Sequence, residues 1–120
     1  MKFEIDNKEK VSVIKSKVEK LDALEAPEFK SEFVMMNKND VRNIILDLSE
    51  TRYCDSSGLS AILVANRLCR DSEGTFVLCG LQPSVSKLIT ISQLDSVLNI
   101  TPTANEAVDF VYMSEVEKDI

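Results

Sequence analysis

The sequence is 120 residues long, with 44% hydrophobic and 28% charged residues and a net charge of -6 from 14 basic and 20 acidic side chains. This length and composition predict one globular domain with its own core and exclude a disordered chain. The lack of a Lys or Arg run disfavours nucleic acid as a partner. No apolar stretch has the length of a membrane span and no secretory signal is visible, so we expect no membrane insertion and a cytoplasmic location.

The chain has no histidine and only three cysteines, which limits its chemistry. Without histidine, Ser-His-Asp and Cys-His triads and His-ligated metal sites are excluded. Cys54, Cys69 and Cys79 lack metal-ligand spacing and are predicted to be buried or nearly buried thiols. A redox role is retained only for Cys54, which adjoins the motif described below. We therefore predict no catalytic residues, no metal and no cofactor.

The first half of the chain alternates strand and helix patterns. Residues 3–5 and 11–14 have the alternation of two half-buried strands, which predicts a β-hairpin. A helix follows, with Pro27 near its first turn. Its inward face is predicted from helical spacing: Phe29, Phe33 and Met36. The continuous apolar run at 43–48 predicts a strand covered on both faces, and Asp47 is predicted to accept a loop hydrogen bond.

The second half continues the alternation, with strands predicted at 75–80 and 96–100 and a short helix at 83–91. The helix before the first of these strands should end near Gly74, and Thr103 should cap the last helix. The inward residues of the three helices are predicted from their spacing: Leu59, Ile62, Leu63, Ala65, Cys69, Val85, Leu88, Ile89, Ala104, Ala107, Val108 and Val111. The domain is predicted to span 1–113, and the acidic residues 114–120 are predicted to fray.

The predicted order is β-β-α-β-α-β-α-β-α, an N-terminal hairpin followed by strand-helix alternation. It indicates an α/β fold: a single domain with a mixed sheet covered by about four helices. Right-handed crossovers place the loop after strand 43–48 at the carboxyl edge of the sheet, where α/β folds hold their working loops. That loop leads into the segment "YCDSSGLSAIL", residues 53–63.

This segment combines a carboxylate, two hydroxyls and a glycine. Asp55 or Ser56 suits a helix N-cap, which contributes about 0.5–2 kcal/mol. A cap does not explain the second serine or Gly58, a poor helix former that would leave the helix end open. A phosphate on Ser56 or Ser57 would find amide donors there and add nearly two negative charges. The motif lacks a general base and a Walker loop. From these residues alone, a cap and a modified serine or protein-contact loop stay equally open.

Three longer segments carry a resemblance to a known family: "EKLDALEAPEF", "NIILDLSETRYCDSSGLSAIL" and "GTFVLCGLQPSVSKLITISQL". They resemble STAS domains, most closely the bacterial anti-sigma factor antagonists, over nearly the whole chain. The resemblance implies that Ser56, the first serine after the aspartate, receives phosphate from an anti-sigma factor kinase. The partner-binding residues that it implies are Asp22, Asp55, Ser56, Ser57, Gly58, Leu59 and Ser60. For Asp22 the alternative is a carboxylate that only starts a helix, because Glu19 and Lys20 stand where the family often has glycine.

The resemblance also implies a cycle of partner switching. The unphosphorylated protein would bind an anti-sigma factor, which is a serine kinase, and release a sigma factor; phosphorylation of Ser56 would end binding, and a PP2C-type phosphatase would restore it. One alternative is a STAS subunit of a transporter-associated or stressosome-like complex, in which Ser56 only caps a helix. A small enzyme using Asp55 and Ser56 on a phosphorylated substrate is disfavoured, because no base or cofactor motif accompanies them.

Overall fold

Residues 2–119 fold into seven strands and four helices, with the hairpin and the strand-helix alternation in the predicted order. The strands are β1 Phe3–Asn7, β2 Ser12–Ser16, β3 Lys20–Leu21, β4 Ile44–Asp47, β5 Tyr53–Cys54, β6 Phe76–Cys79 and β7 Asn99–Thr101. The helices are α1 Ala26–Lys38, α2 Ser56–Asp71, α3 Pro83–Ile91 and α4 Ala104–Lys118. These bounds come from a computed structural model that describes residues 2–119.

Five of the strands form the main sheet in the order β1-β2-β4-β6-β7. β1 and β2 pair antiparallel, whereas β2, β4, β6 and β7 run parallel. Ile14, Leu46 and Leu78 lie side by side across the three central strands. The mixed sheet, and the position of β4 at its centre, are therefore confirmed.

The sheet separates two apolar cores, which explains why β4 is apolar at consecutive positions. Ile44 and Leu46 face a large core shared with α1, α2 and α3. Ile45 faces the other side, where it packs with Ala107 and Val111 of α4. Because both faces of β4 are covered, three consecutive apolar residues are buried there.

The helices bury the residues that helical spacing predicted, with small differences at their edges. Phe29, Phe33 and Met36 of α1 are buried, and Pro27 lies in the first turn. The Phe33 ring meets Phe76 of β6 edge-on, with 6.4 Å between the ring centroids. Four residues predicted to be inward are only partly buried: Leu63, Leu88, Ala104 and Val108. The Thr103 hydroxyl accepts the Glu106 amide at 3.3 Å, which confirms the cap of α4.

A second, two-stranded sheet was missed. β3 pairs in parallel with β5, with Lys20 opposite Tyr53 and Leu21 opposite Cys54. Each strand is only two residues long, so neither has enough residues to show an alternating pattern, and their pairing joins segments more than thirty positions apart in the sequence. This small sheet brings the segment before α1 next to the segment before α2, where the candidate site lies.

The C-terminal prediction was wrong for residues 114–118. They continue α4 and do not form a frayed tail, because Glu115 is buried and hydrogen-bonded to the rest of the domain. Ile120 lies outside the described residues. The last strand is also shorter and later than predicted, at 99–101, since residues before it form a turn in which the Val97 and Leu98 amides donate to the Leu94 carbonyl.

Within residues 2–119, none of the helices has both the length and the apolar character needed to cross a bilayer.

Candidate functional site

The loop from β4 to β5 is firmly attached to the main sheet. The Asp47 carboxylate accepts the Ser49 amide at 2.9 Å, as predicted. Thr51 is fully buried; its hydroxyl lies 2.6 Å from the Ser16 hydroxyl and donates to the Val18 carbonyl at 2.7 Å. The Gln82 side chain donates to the Ser49 carbonyl at 2.7 Å. These contacts give β5 and the start of α2 a fixed position at the carboxyl edge of the sheet.

Asp55, between β5 and α2, is the N-cap of the helix. Its backbone is extended, and its Oδ1 accepts the Gly58 amide at 3.0 Å. Its carbonyl accepts the Leu59 amide at 2.9 Å, which starts the helical bonding. Of the two candidates for the cap, Asp55 therefore has this role. Ser56 is the first residue of the helix and is exposed to solvent.

Gly58 is buried, and its role differs from the predicted one. A Cβ at this position would collide with the Leu21 carbonyl oxygen and lie 2.7 Å from Cys54 Sγ. The glycine therefore lets the first turn of α2 approach the end of β3, and it does not keep the helix end open. The glycine ties the motif to the small sheet.

The small sheet brings Asp22 beside the motif. Leu21 and Cys54 are paired neighbours, so Asp22 and Asp55, which follow them, emerge at the same edge. The Asp55 amide also donates to the Leu21 carbonyl at 3.3 Å. Asp22 Oδ1 accepts the amides of Leu24 and Glu25 at 3.0 and 3.3 Å, directly before α1. Asp22 thus supports the start of α1 and also lies next to the Ser56 segment.

The surface of the site is uneven in its exposure. Ser57 and Ser60 are half-buried, whereas Asp55 and Ser56 are open to solvent. Leu59 is only 9% exposed and packs into the large core, so it has little surface to offer a partner. The described residues place every residue of the implied partner-binding set at one edge of the molecule, with Leu59 and Gly58 on its inner side.

Sequence reasoning missed the surface that joins the two aspartates. An open depression of about 520 Å³ runs along the small sheet, lined by Glu19, Lys20, Asp22, Tyr53, Cys54 and Asp55. Next to it, the Leu24 side chain is 84% exposed. A signal was present in the sequence, because "KLD" and "YCD" both place an aspartate directly after an apolar residue. Only the pairing of β3 with β5 joins the two.

The cysteines lie where buried thiols were predicted. Cys69 and Cys79 are buried, and Cys54 is half-buried. Burial, with a smaller contribution from the Asp55 charge, raises the pKa of the Cys54 thiol to about 12. Cys54 is therefore protonated at neutral pH and does not have the thiolate character that redox chemistry requires. Among residues 2–119, no group of three His, Cys, Asp or Glu side chains is arranged to hold a metal ion.

Comparison with known proteins assigns this arrangement to a family. The STAS domain profile matches residues 2–107. The chain is 31% identical over 85 residues to BtrV of Bordetella bronchiseptica, named as an anti-sigma factor antagonist, and covers 71% of each chain. The protein therefore belongs to the STAS domain family, as its sequence indicated.

Solved structures agree with this family. An anti-sigma factor antagonist of Thermotoga maritima superposes with a TM-score of 0.85 and 25% identity, over 92% of this chain and 94% of that one. The phosphorylated form of the Bacillus cell fate determinant SpoIIAA superposes with a TM-score of 0.71 over 91% of this chain and 98% of its own. At 22% identity, that second similarity shows the fold alone.

Proposed function

We propose that this protein is an anti-sigma factor antagonist that is switched by phosphorylation of Ser56. In its unphosphorylated form it binds an anti-sigma factor serine kinase and so releases a sigma factor. The observation that carries the proposal is the exposed Ser56 hydroxyl, held at the first position of α2 by the Asp55 cap. In a STAS domain similar to named anti-sigma factor antagonists, this is the position at which a kinase would find a presented serine.

The physical effect of a phosphate there is local and electrostatic. It adds nearly two negative charges directly beside Asp55 and close to Asp22. Asp55 accepts the Gly58 amide, but the Ser56 and Ser57 amides before it have no acceptor within the helix and can bind the phosphate, so the fold tolerates it. A partner that binds over Ser56 must instead desolvate the new charge. A loss of about 4 kcal/mol in binding corresponds to roughly a thousandfold rise in Kd.

The proposed partners follow from this cycle. A serine kinase that is also the anti-sigma factor binds the surface formed by the small sheet and the start of α2, and a PP2C-type phosphatase removes the phosphate. The exposed Leu24 and Tyr53, which flank the aspartates, supply apolar contact area for that partner. The protein itself is a regulatory binding partner with no catalysis of its own, and we expect it in the cytoplasm with the transcription machinery.

The test is a capture experiment with purified wild type, Ser56→Asp and the control Ser96→Asp, which makes the same change at an exposed serine before β7, as baits in an extract of the source cell. We expect wild type and the control to capture a serine kinase and Ser56→Asp to lose it. The captured kinase, given ATP, should place one phosphate on wild type, mapped to Ser56 by tandem mass spectrometry, and none on Ser56→Ala.

The same experiment can contradict the proposal. If Ser56→Asp captures the same partners as wild type, or all baits capture a transport complex, Ser56 acts only at the helix start. The protein would then be a structural STAS subunit. A urea titration of Ser56→Asp tests whether capture is lost only because the variant unfolds. Because position 56 is exposed, we expect an unfolding midpoint close to that of wild type.

A further inference from the structure

Two surface helices carry matched strips on opposite sides of the molecule. The α1 strip consists of Lys30, Val34, Met35 and Lys38, and these residues line one apolar depression together with Ser31. The α4 strip consists of Asp109, Phe110, Met113 and Glu117. The apolar members are exposed: Met35 by 56% and Met113 by 60%. Like α1, α4 has apolar residues both inward and outward, so its outer strip is not required for the core.

The spacing of the two strips is the same. Lys30 and Lys38 are eight residues apart, and so are Asp109 and Glu117. At 1.5 Å per residue each pair spans about 12 Å, and eight residues make about 2.2 turns, so the two charges lie about 80° apart around the helix and on one side of it. In each strip an apolar residue, Val34 or Met113, stands four residues after the first charge.

The two strips carry opposite charges, and these charges form no salt bridges among residues 2–119. Antiparallel docking of α1 on α4 would place Lys30 near Glu117 and Lys38 near Asp109. Val34 would then lie against Met113, in the middle of the contact.

From this match we propose that the α1 strip of one copy docks on the α4 strip of a second copy. Pairing of two α4 strips is disfavoured, because antiparallel helices centred on Met113 would oppose Asp109 and Glu117. The two strips belong to helices on opposite faces of the sheet, so a symmetric pair of molecules cannot satisfy both contacts. The contact is therefore head-to-tail and repeats from copy to copy.

This self-association does not depend on the proposed function. An assembled row would present one Ser56 segment per copy and so raise the local concentration of phosphorylation sites. With two exposed ion pairs and a small apolar contact, the association is weak and sensitive to salt. It should be visible only at high protein concentration.

Sedimentation velocity on the full chain tests the proposal. In about 0.02 M salt and at protein concentrations up to on the order of 1 mM, we expect wild type to sediment faster as concentration rises. Adding salt to about 0.3 M should reverse this. The double variant Lys30→Glu/Lys38→Glu, with two acidic strips, and the double variant Asp109→Lys/Glu117→Lys, with two basic strips, should each stay monomeric.

A mixture of these two double variants provides the decisive result. Each α1 strip in the mixture has an oppositely charged α4 strip on the other variant, so an equimolar mixture should associate although neither component does alone. The control Lys8→Glu/Lys87→Glu makes the same change in net charge as Lys30→Glu/Lys38→Glu, but elsewhere on the surface, and should associate like wild type. A wild type that stays monomeric in low salt, or a mixture that does not associate, overturns the proposal.

Discussion

At the scale of single residues, neighbours in the motif have separate physical roles. Asp55 caps α2 through its side chain, whereas the Ser56 side chain is exposed to solvent and accessible to a partner. Gly58 lets α2 approach the Leu21 carbonyl. The motif is therefore a structural element and a candidate modification site at once, and substitutions should separate the two.

Gly58→Ala tests the close approach. Helix propensity alone would favour alanine by about 1 kcal/mol. The added methyl group, however, must displace either the end of β3 or the first turn of α2, so we expect a net loss of about 1–3 kcal/mol in the free energy of unfolding. Urea denaturation measures it, with Ser57→Ala as the control expected within about 0.5 kcal/mol of wild type. A Gly58→Ala protein more stable than wild type would refute the packing role.

The cap at Asp55 gives a second prediction at this scale. Asp55→Ala leaves the Gly58 amide without its acceptor and should reduce the free energy of unfolding by about 1 kcal/mol. Asp55→Asn keeps an oxygen in the same position and should lose less. Urea midpoints compare the two variants, and equal losses would show that the charge, and not the hydrogen bond, matters.

At the scale of elements, α4 is held by a polar cluster at the amino edge of the sheet. The Glu115 carboxylate accepts hydrogen bonds from Asn43 Nδ2 at 2.6 Å and Arg42 Nη2 at 2.7 Å. Asn43 in turn bonds the Lys10 carbonyl at 2.8 Å and accepts the Thr75 amide at 2.7 Å. One carboxylate thereby links α4 to the starts of β2, β4 and β6, which is why the helix continues past Ser114.

This cluster predicts a pH dependence. The Asn43 hydrogen bond, with help from the Arg42 charge, lowers the pKa of Glu115 below its ordinary value. The stabilisation is therefore complete above the unfolded pKa of about 4.3 and is lost as pH falls through the lower folded pKa. Glu115→Gln should be less stable than wild type by about 1.5 kcal/mol at pH 7. Urea titrations should show the difference shrinking towards pH 3, and a constant difference would contradict it.

At the scale of the whole molecule, the two cores share the central strands. Ile44 and Leu46 belong to one core and Ile45 to the other, so neither core can open without exposing β4. The small sheet adds a second connection, between the segment before α1 and the segment before α2. We therefore expect one cooperative unit that includes the candidate site.

The two tyrosines report on this cooperativity, since the chain has no tryptophan. Tyr53 lies beside the candidate site, and Tyr112 lies on α4. Tyr112→Phe leaves only the first as a fluorescent probe, and Tyr53→Phe leaves only the second. Each variant's fluorescence transition in urea should coincide with its own circular dichroism transition. A separate, earlier transition at either tyrosine would show that its region unfolds independently.

The sequence alone determined the order of the main elements, the buried faces of the helices and the family. It could do so because hydrophobic periodicity, caps and the Asp-Ser-Ser-Gly motif are local patterns of neighbouring residues. The same reasoning was wrong for residues 114–118, where an acidic segment looked free because its partners Arg42 and Asn43 are distant in sequence. It also predicted that Gly58 leaves the helix end open, whereas the structure packs Gly58 against the Leu21 carbonyl.

Only the tertiary structure decided which distant residues meet. Pairing of β3 with β5 places Asp22 beside Asp55, and the burial of Glu115 extends α4. The opposite placement of the α1 and α4 strips is likewise a property of the assembled sheet. Such contacts depend on strand pairing and on packing between segments that are distant in sequence. A two-residue strand or a single carboxylate includes too few residues to produce a periodic pattern along the chain.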